Sequence, residues 1–126
     1  MKLQPDKSDV QSVTGYGPGW IAVNGEKLSG SVILSSRGDR RAWDVFAYED
    51  LGARHFEQIA LLDAELVIFG SGQRLRFPDP AWLTALMANR TGLETMDTPA
   101  ACRTYNILAA EGRHVVLAVI IDTDPD

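Results

Sequence analysis

The chain has 126 residues, 45% of them hydrophobic and 23% charged, the profile of a folded globular protein and not of a disordered one. With 12 Lys and Arg against 17 Asp and Glu it carries a net charge of −5, which argues against nucleic acid as a general partner, since phosphate binding needs a basic footprint. A single cysteine, Cys102, rules out an internal disulfide and a cysteine-rich zinc site.

The length suits one domain, residues 1–126, with an ordered core expected at about 13–121. Met1 to Val10 is polar, without the apolar stretch of a signal peptide, and is expected to fray. The longest apolar run, Val115 to Ile121, falls far short of the roughly 20 residues that span a bilayer. A cytoplasmic protein is the expectation.

In chain order, Val13 to Tyr16 starts the ordered part, and Gly15, Gly17, Pro18 and Gly19 predict a turn. Trp20–Val23 reads as a strand, and Asn24-Gly25 is a strong hairpin signal because both turn positions must tolerate positive φ. Gly30 to Leu34 reads as a further strand, so residues 13–35 predict an antiparallel ribbon or meander. Ser35 to Arg41 reads as a polar loop, and Trp43-Asp44-Val45 as a short strand. Asp50 is placed to cap a helix through about Leu62, with Phe56, Ile59, Ala60 and Leu62 on its buried side.

From residue 63 strands alternate with helices. Glu65–Phe69 is a nearly continuous apolar strand, as expected in a sheet covered on both faces, and it runs into Gly70-Ser71-Gly72. Asp79-Pro80 predicts a helix to about Ala88, with Asn89 at its end. Thr91 to Met96 is a short strand. Asp97-Thr98-Pro99 opens a helix to about Ala110, which Gly112 ends. His114 to Ile121 is the last strand, followed by Asp122, Asp124 and Asp126. This alternation implies crossover connections and a mainly parallel sheet.

Residues 92–113 contain an acidic residue and Met before Thr98, then alanines, Thr104-Tyr105-Asn106 and Glu111-Gly112-Arg113. With Gly70-Ser71-Gly72 upstream, this segment resembles the family called domain of unknown function 498. That family includes the mitochondrial respiratory complex I assembly factor 3 and many small bacterial and archaeal proteins. The hairpin and the Trp43 region fit as well, so the resemblance covers most of residues 13–121. It implies an α/β fold of three layers around a mixed, mostly parallel sheet with an N-terminal antiparallel hairpin. It also implies an assembly-factor-like role, acting by protein–protein association. Ser71 stands where Thr is more usual in the family, and Ser35-Ser36 where relatives often have Pro.

Two site hypotheses follow. One is a small-molecule or anion pocket between the Gly70–Gly72 loop and the Asp97–Asn106 helix, using Gly70, Ser71, Gly72, Thr98, Thr104, Tyr105 and Asn106. Glycines after a buried strand admit backbone N–H groups to a ligand, and a helix start adds positive potential. The plainer readings are a tight strand exit for the glycines, a cap for Asp97 or Thr98, and an internal network for Thr104 to Asn106. The other is a partner surface at Arg37, Arg40 and Arg41, the one basic cluster, with Arg54 as a candidate further member; such a cluster also fits a solvated loop. GxxxxGK[ST] and a full GxGxxG are absent, and no catalytic constellation, cofactor or metal set is recognised. Cys102 has no neighbouring base in sequence and fits a small apolar filler, and His55 and His114 form no metal pattern. Glu111 and Arg113 are candidates to pair with each other, or with Arg103 and Glu94.

Overall fold

The computed structural model describes residues 10–122; Met1 to Asp9, Asp124 and Asp126 lie outside them. Strands β1 (Val13–Gly17), β2 (Trp20–Val23) and β3 (Glu26–Leu28) form a three-stranded antiparallel sheet. Asn24 at φ 49° and Gly25 at φ 86° make the β2–β3 turn that their sequence announces. The β1–β2 turn is Pro18-Gly19 alone, with Gly19 at φ 77°. Gly15 and Gly17 are strand residues, contrary to the turn expected of them. A Cβ on Gly17 would come within 2.6 Å of the Trp20 indole nitrogen, so glycine is there to admit a side chain.

Strand β4 (Val32–Ser35) leaves this ribbon and enters a five-stranded sheet in the order β5-β4-β8-β6-β7, with β5 at Arg40–Ala42, β6 at Leu66–Gly70, β7 at Gly92–Met96 and β8 at Val115–Val119. The predicted meander over 13–35 therefore ends at Leu28. All of β4 is buried, so it needs cover on both faces, which a ribbon cannot supply. Pairings of β8 with β6 and β6 with β7 are parallel, and those of β4 with β8 and β5 are antiparallel. Four strands thus share one direction in a mixed sheet.

The short strand expected at Trp43–Val45 falls instead on Arg40–Ala42. The Ser35 hydroxyl accepts from the N–H groups of Arg37 and Asp39 (3.1 Å each), and Gly38 sits at φ 101°, so the hairpin closes earlier than the sequence suggests. Trp43 drops into the core, edge-on to His55, Phe56 and Phe69.

Helices cover both faces. On one, α3 (Thr98–Ala110) and the three-stranded sheet enclose Ile68, Leu117, Val119, Cys102 and Tyr105. On the other, α1 (Ala53–Ala60) and α2 (Thr84–Ala88) pack Phe56, Ile59 and Leu86 on Val67, Phe69 and Val116. Neighbouring residues of β6 and β8 enter opposite cores, as the pleat demands. Asp50 does not cap α1. Its carboxylate accepts from the N–H groups of Phe46 and Ala47 (2.9 and 3.1 Å) and closes a 3-10 turn at Tyr48–Asp50, and the cap position is Gly52. The helix predicted from Asp79 is split into a 3-10 turn, Pro80–Leu83, and α2. Asp97 caps α3 by accepting from Ala100 N–H at 2.9 Å. Gly112 (φ 86°) ends α3, with Gly112 N–H on Ala109 O and Arg113 N–H on Leu108 O. Among the described residues no helix is long and apolar enough to cross a membrane.

Candidate functional site

The parallel strands β6, β7 and β8 end side by side, with Gly70 opposite both Met96 and Val119. Open α/β sheets bind ligands beyond such carboxyl ends. Gly70 is present because nothing larger fits: a Cβ would lie 2.6 Å from Val119 Cγ1 and 3.1 Å from Ala101 Cβ and Thr98 Cα. Thr98 ties three segments together. Its hydroxyl donates to Ile120 O (2.9 Å) and accepts from Gly72 N–H (3.0 Å), while its own N–H donates to Gly72 O (2.8 Å). The buried Ser71 hydroxyl donates to Arg74 O (2.7 Å) and accepts from Arg76 N–H (2.9 Å), so it shapes the loop over 71–76.

Tyr105 and Asn106 lie seven and eight residues beyond Thr98, about 10–12 Å along the helix axis. They grip the entry to β1. The Tyr105 hydroxyl donates to Gln11 O at 2.9 Å. The Asn106 amide accepts from Val13 N–H and donates to Val13 O, both at 2.8 Å, imitating a neighbouring strand. Thr104 is half-buried beside them. The seven expected ligand-site residues therefore separate into a cluster at the strand ends and a clamp on the N-terminal segment.

Two cavities open at the strand ends. The first, about 350 Å³, lies between the Pro18-Gly19 turn, Gly72-Gln73, Thr98-Pro99 and Ile120 to Asp122, with Tyr16 and Trp20 in its wall. It falls between the glycine loop and the start of α3, but its outer wall is the β1–β2 turn, which sequence reading did not bring to this place. The signal was the run Gly15 to Trp20, whose Trp and Pro were read only as local structure. The second, about 400 Å³, is lined by residues 46–49, Ser71, Gln73, Arg74, Arg76 and Asp122. Gly70, Thr104, Tyr105 and Asn106 line neither.

The arginines have different surroundings. Arg40 pairs with Glu26 (2.7 Å) and its Nε donates to Gln11 Oε1 (3.0 Å), tying β5 to β3 and to the segment before β1. Arg54 pairs with Asp44 at 2.9 Å, while Arg37 and Arg41 are exposed. Arg113 pairs with Glu65 at 2.8 Å and not with Glu94 or Glu111, because the last turn of α3 brings it over the start of β6. Cys102 is buried among apolar side chains, and burial pushes its thiol pKa up to about 12. His55 is buried in the opposite core, beyond the sheet, with Nδ1 accepting from Gly52 N–H at 3.0 Å. Cys102 and His55 thus form no nucleophile–base pair. No group of three His, Cys, Asp or Glu among the described residues is placed to hold a metal ion.

The family model described as "Protein of unknown function (DUF498/DUF598)" matches residues 13–120. The bovine protein named NADH dehydrogenase [ubiquinone] 1 alpha subcomplex assembly factor 3 is 30% identical over 120 residues, covering 94% of this chain and 65% of its own. The human protein of the same name is 28% identical, again with 65% of its length covered. The chain thus spans about 65% of the length of these relatives. A crystal structure of a Bordetella parapertussis protein superposes with a TM-score of 0.84 at 39% identity, over 90% of this chain and 97% of that one. The solution structure of a Bordetella pertussis protein, described as an Mth938-like domain, gives 0.82 at 33% identity, over 98% and 94%.

Proposed function

The chain belongs to the DUF498/DUF598 family, and we propose that it acts as an assembly-type protein, as the relatives named assembly factor 3 are called, by associating with a subunit of a larger complex. The observation that supports association is a set of exposed apolar side chains on two adjoining segments, residues 46–49 and 73–77. Phe46, Leu75 and Phe77 are 74%, 53% and 66% exposed. The backbone beneath is held firmly: the Tyr48 hydroxyl donates to Phe77 O (2.5 Å), and Arg76 pairs with Glu49 (2.8 Å) and lies over the Tyr48 ring. Large apolar side chains exposed on adjoining, well-held segments are candidates for an interaction site. Their occupant in this proposal is an apolar segment of a partner subunit. Arg37 and Arg41 supply accessory basic contacts, and Arg40 is spent on Glu26 and Gln11. A cytoplasmic location is part of the same proposal.

The test is removal of the chain from its host and native electrophoresis of the host's NADH dehydrogenase complex. The expected result is loss of assembled complex, restored by the wild-type chain and not by a variant carrying Phe46→Ser, Leu75→Ser and Phe77→Ser. Full assembly without the chain would reject the assembly role, and full rescue by the triple variant would reject this surface.

A second reading, binding of a small molecule, is favoured by the first cavity. Its volume of about 350 Å³ falls within the range of about 300–1,000 Å³ usual for ligand sites. Small organic probes should shift the amide resonances of Gly19, Gly72 and Ile121. Their indifference to every probe would reject the reading.

A further inference from the structure

We infer that the cavity between the Pro18-Gly19 turn and the start of α3 selects an apolar group bearing a cationic head, with Asp122 as its counter-ion. This rests on the small-molecule reading above. The walls supply the apolar part: Tyr16, Pro18, Trp20, Pro99, Ile120 and Ile121.

A helix start in the wall would ordinarily suggest an anion. Here the backbone donors at the start of α3 are taken. Pro18 and Pro99 have no N–H. The N–H of Thr98 is held by Gly72 O (2.8 Å), that of Gly72 by Thr98 Oγ1 (3.0 Å), and that of Gln73 by Asp122 Oδ2 (3.2 Å). Those of Ile120 and Ile121 go to Gly70 O and Ser31 Oγ, both at 2.9 Å. Deeper in the helix, Ala100 and Ala101 donate to the Asp97 side chain and carbonyl. The positive end of α3 is therefore closed off from within.

Asp122 is the one charged side chain among the described lining residues. Its seat depends on Gly72, which adopts φ 103° and whose Cβ, if present, would lie 2.6 Å from Asp122 Oδ2. One carboxylate oxygen is fixed by Gln73 N–H, and the structure gives the other no hydrogen bond among the described residues. The two aromatic walls are also oriented from outside the cavity. Lys27 Nζ lies 4.7 Å from the centre of the Trp20 ring, and Arg103 donates to the Tyr16 hydroxyl at 2.7 Å; neither cation lines the cavity. Apolar walls, a helix start closed off from within and one anchored carboxylate favour a ligand that brings its own N–H donors and positive charge.

The test titrates the full chain with phenethylammonium, 2-phenylethanol, 3-phenylpropionate and inorganic phosphate, following amide shifts around Gly19, Gly72 and Ile121. Phenethylammonium should bind about tenfold or more tighter than 3-phenylpropionate, phosphate should not bind, and Asp122→Asn should remove most of that preference while leaving 2-phenylethanol unchanged. Unaltered shifts elsewhere in the variant establish that it is folded. Equal or tighter binding of 3-phenylpropionate, or an Asp122→Asn variant that keeps the preference, overturns the inference and leaves the cavity reading standing. If no probe moves these resonances, both are overturned.

Discussion

Gly70 shows how one residue joins two layers. Its missing side chain lets the first turn of α3 approach β6, with Thr98 Cα and Ala101 Cβ both 3.1 Å from where a methyl group would sit. Gly70→Ala forces Val119 or the helix aside and should lower unfolding free energy by about 1–3 kcal/mol, measured by urea denaturation. An unchanged midpoint would show that the helix yields without cost. Cys102 allows a second prediction, for alkaline pH. Its thiol titrates near 9.0 when unfolded and about 12 when folded. Between those values the unfolded chain has released a proton that the folded chain retains, so stability falls as pH rises. Cys102 contributes a slope approaching about 1.4 kcal/mol per pH unit above about pH 9. Tyr105, whose phenol is also raised by burial, steepens the fall above 10.0, its ordinary value. Cys102→Ala should flatten the profile between pH 9 and 10; parallel profiles for the two proteins would contradict this.

Among elements, α3 is the most instructive because both its ends and its purpose can be followed. Asp97-Thr98-Pro99 and Gly112 mark its ends from local chemistry alone, and the structure agrees. Its middle is different. Tyr105 and Asn106 are polar for the sake of Gln11 and Val13, more than 90 residues away in the chain. No local pattern shows that partner. Asn106→Ala removes two hydrogen bonds and leaves Val13 with unanswered backbone groups, a loss of about 1–3 kcal/mol. The expected signature is local: amide protons of β1 and β2 exchange faster, while those of β6 and β8 keep their protection. Uniform acceleration across both sheets would show that the N-terminal sheet unfolds only with the whole molecule. The short strand expected at Trp43–Val45 lies at Arg40–Ala42, and the helix expected from Asp50 begins only at Ala53, for a related reason. The side chains of Ser35 and Asp50 satisfy backbone groups there and end one element before the propensity of the next can act.

At the scale of the molecule, the three layers gather unrelated segments at one end of the sheet. The two cavities there share Gln73 and Asp122, so the first cavity adjoins the one that Phe46 lines. The triple serine variant of Phe46, Leu75 and Phe77 should unfold close to the wild-type temperature, because exposed side chains contribute little to the core. A large loss of stability would assign those residues to folding and not to association.

The sequence by itself determined the class of fold, the ends of the main helix, the Asn24-Gly25 turn and the family, because these depend on local propensity, periodicity and a distinctive stretch of residues. Only the tertiary structure decided that β4 leaves the ribbon, that Arg40 pairs with Glu26 and Gln11, and that the glycine loop faces the β1–β2 turn. It also showed that the donors at the start of α3 are consumed internally. The physical reason is the same in each case. A hydrogen bond or a close contact has two partners, and at these positions the second comes from a distant part of the chain.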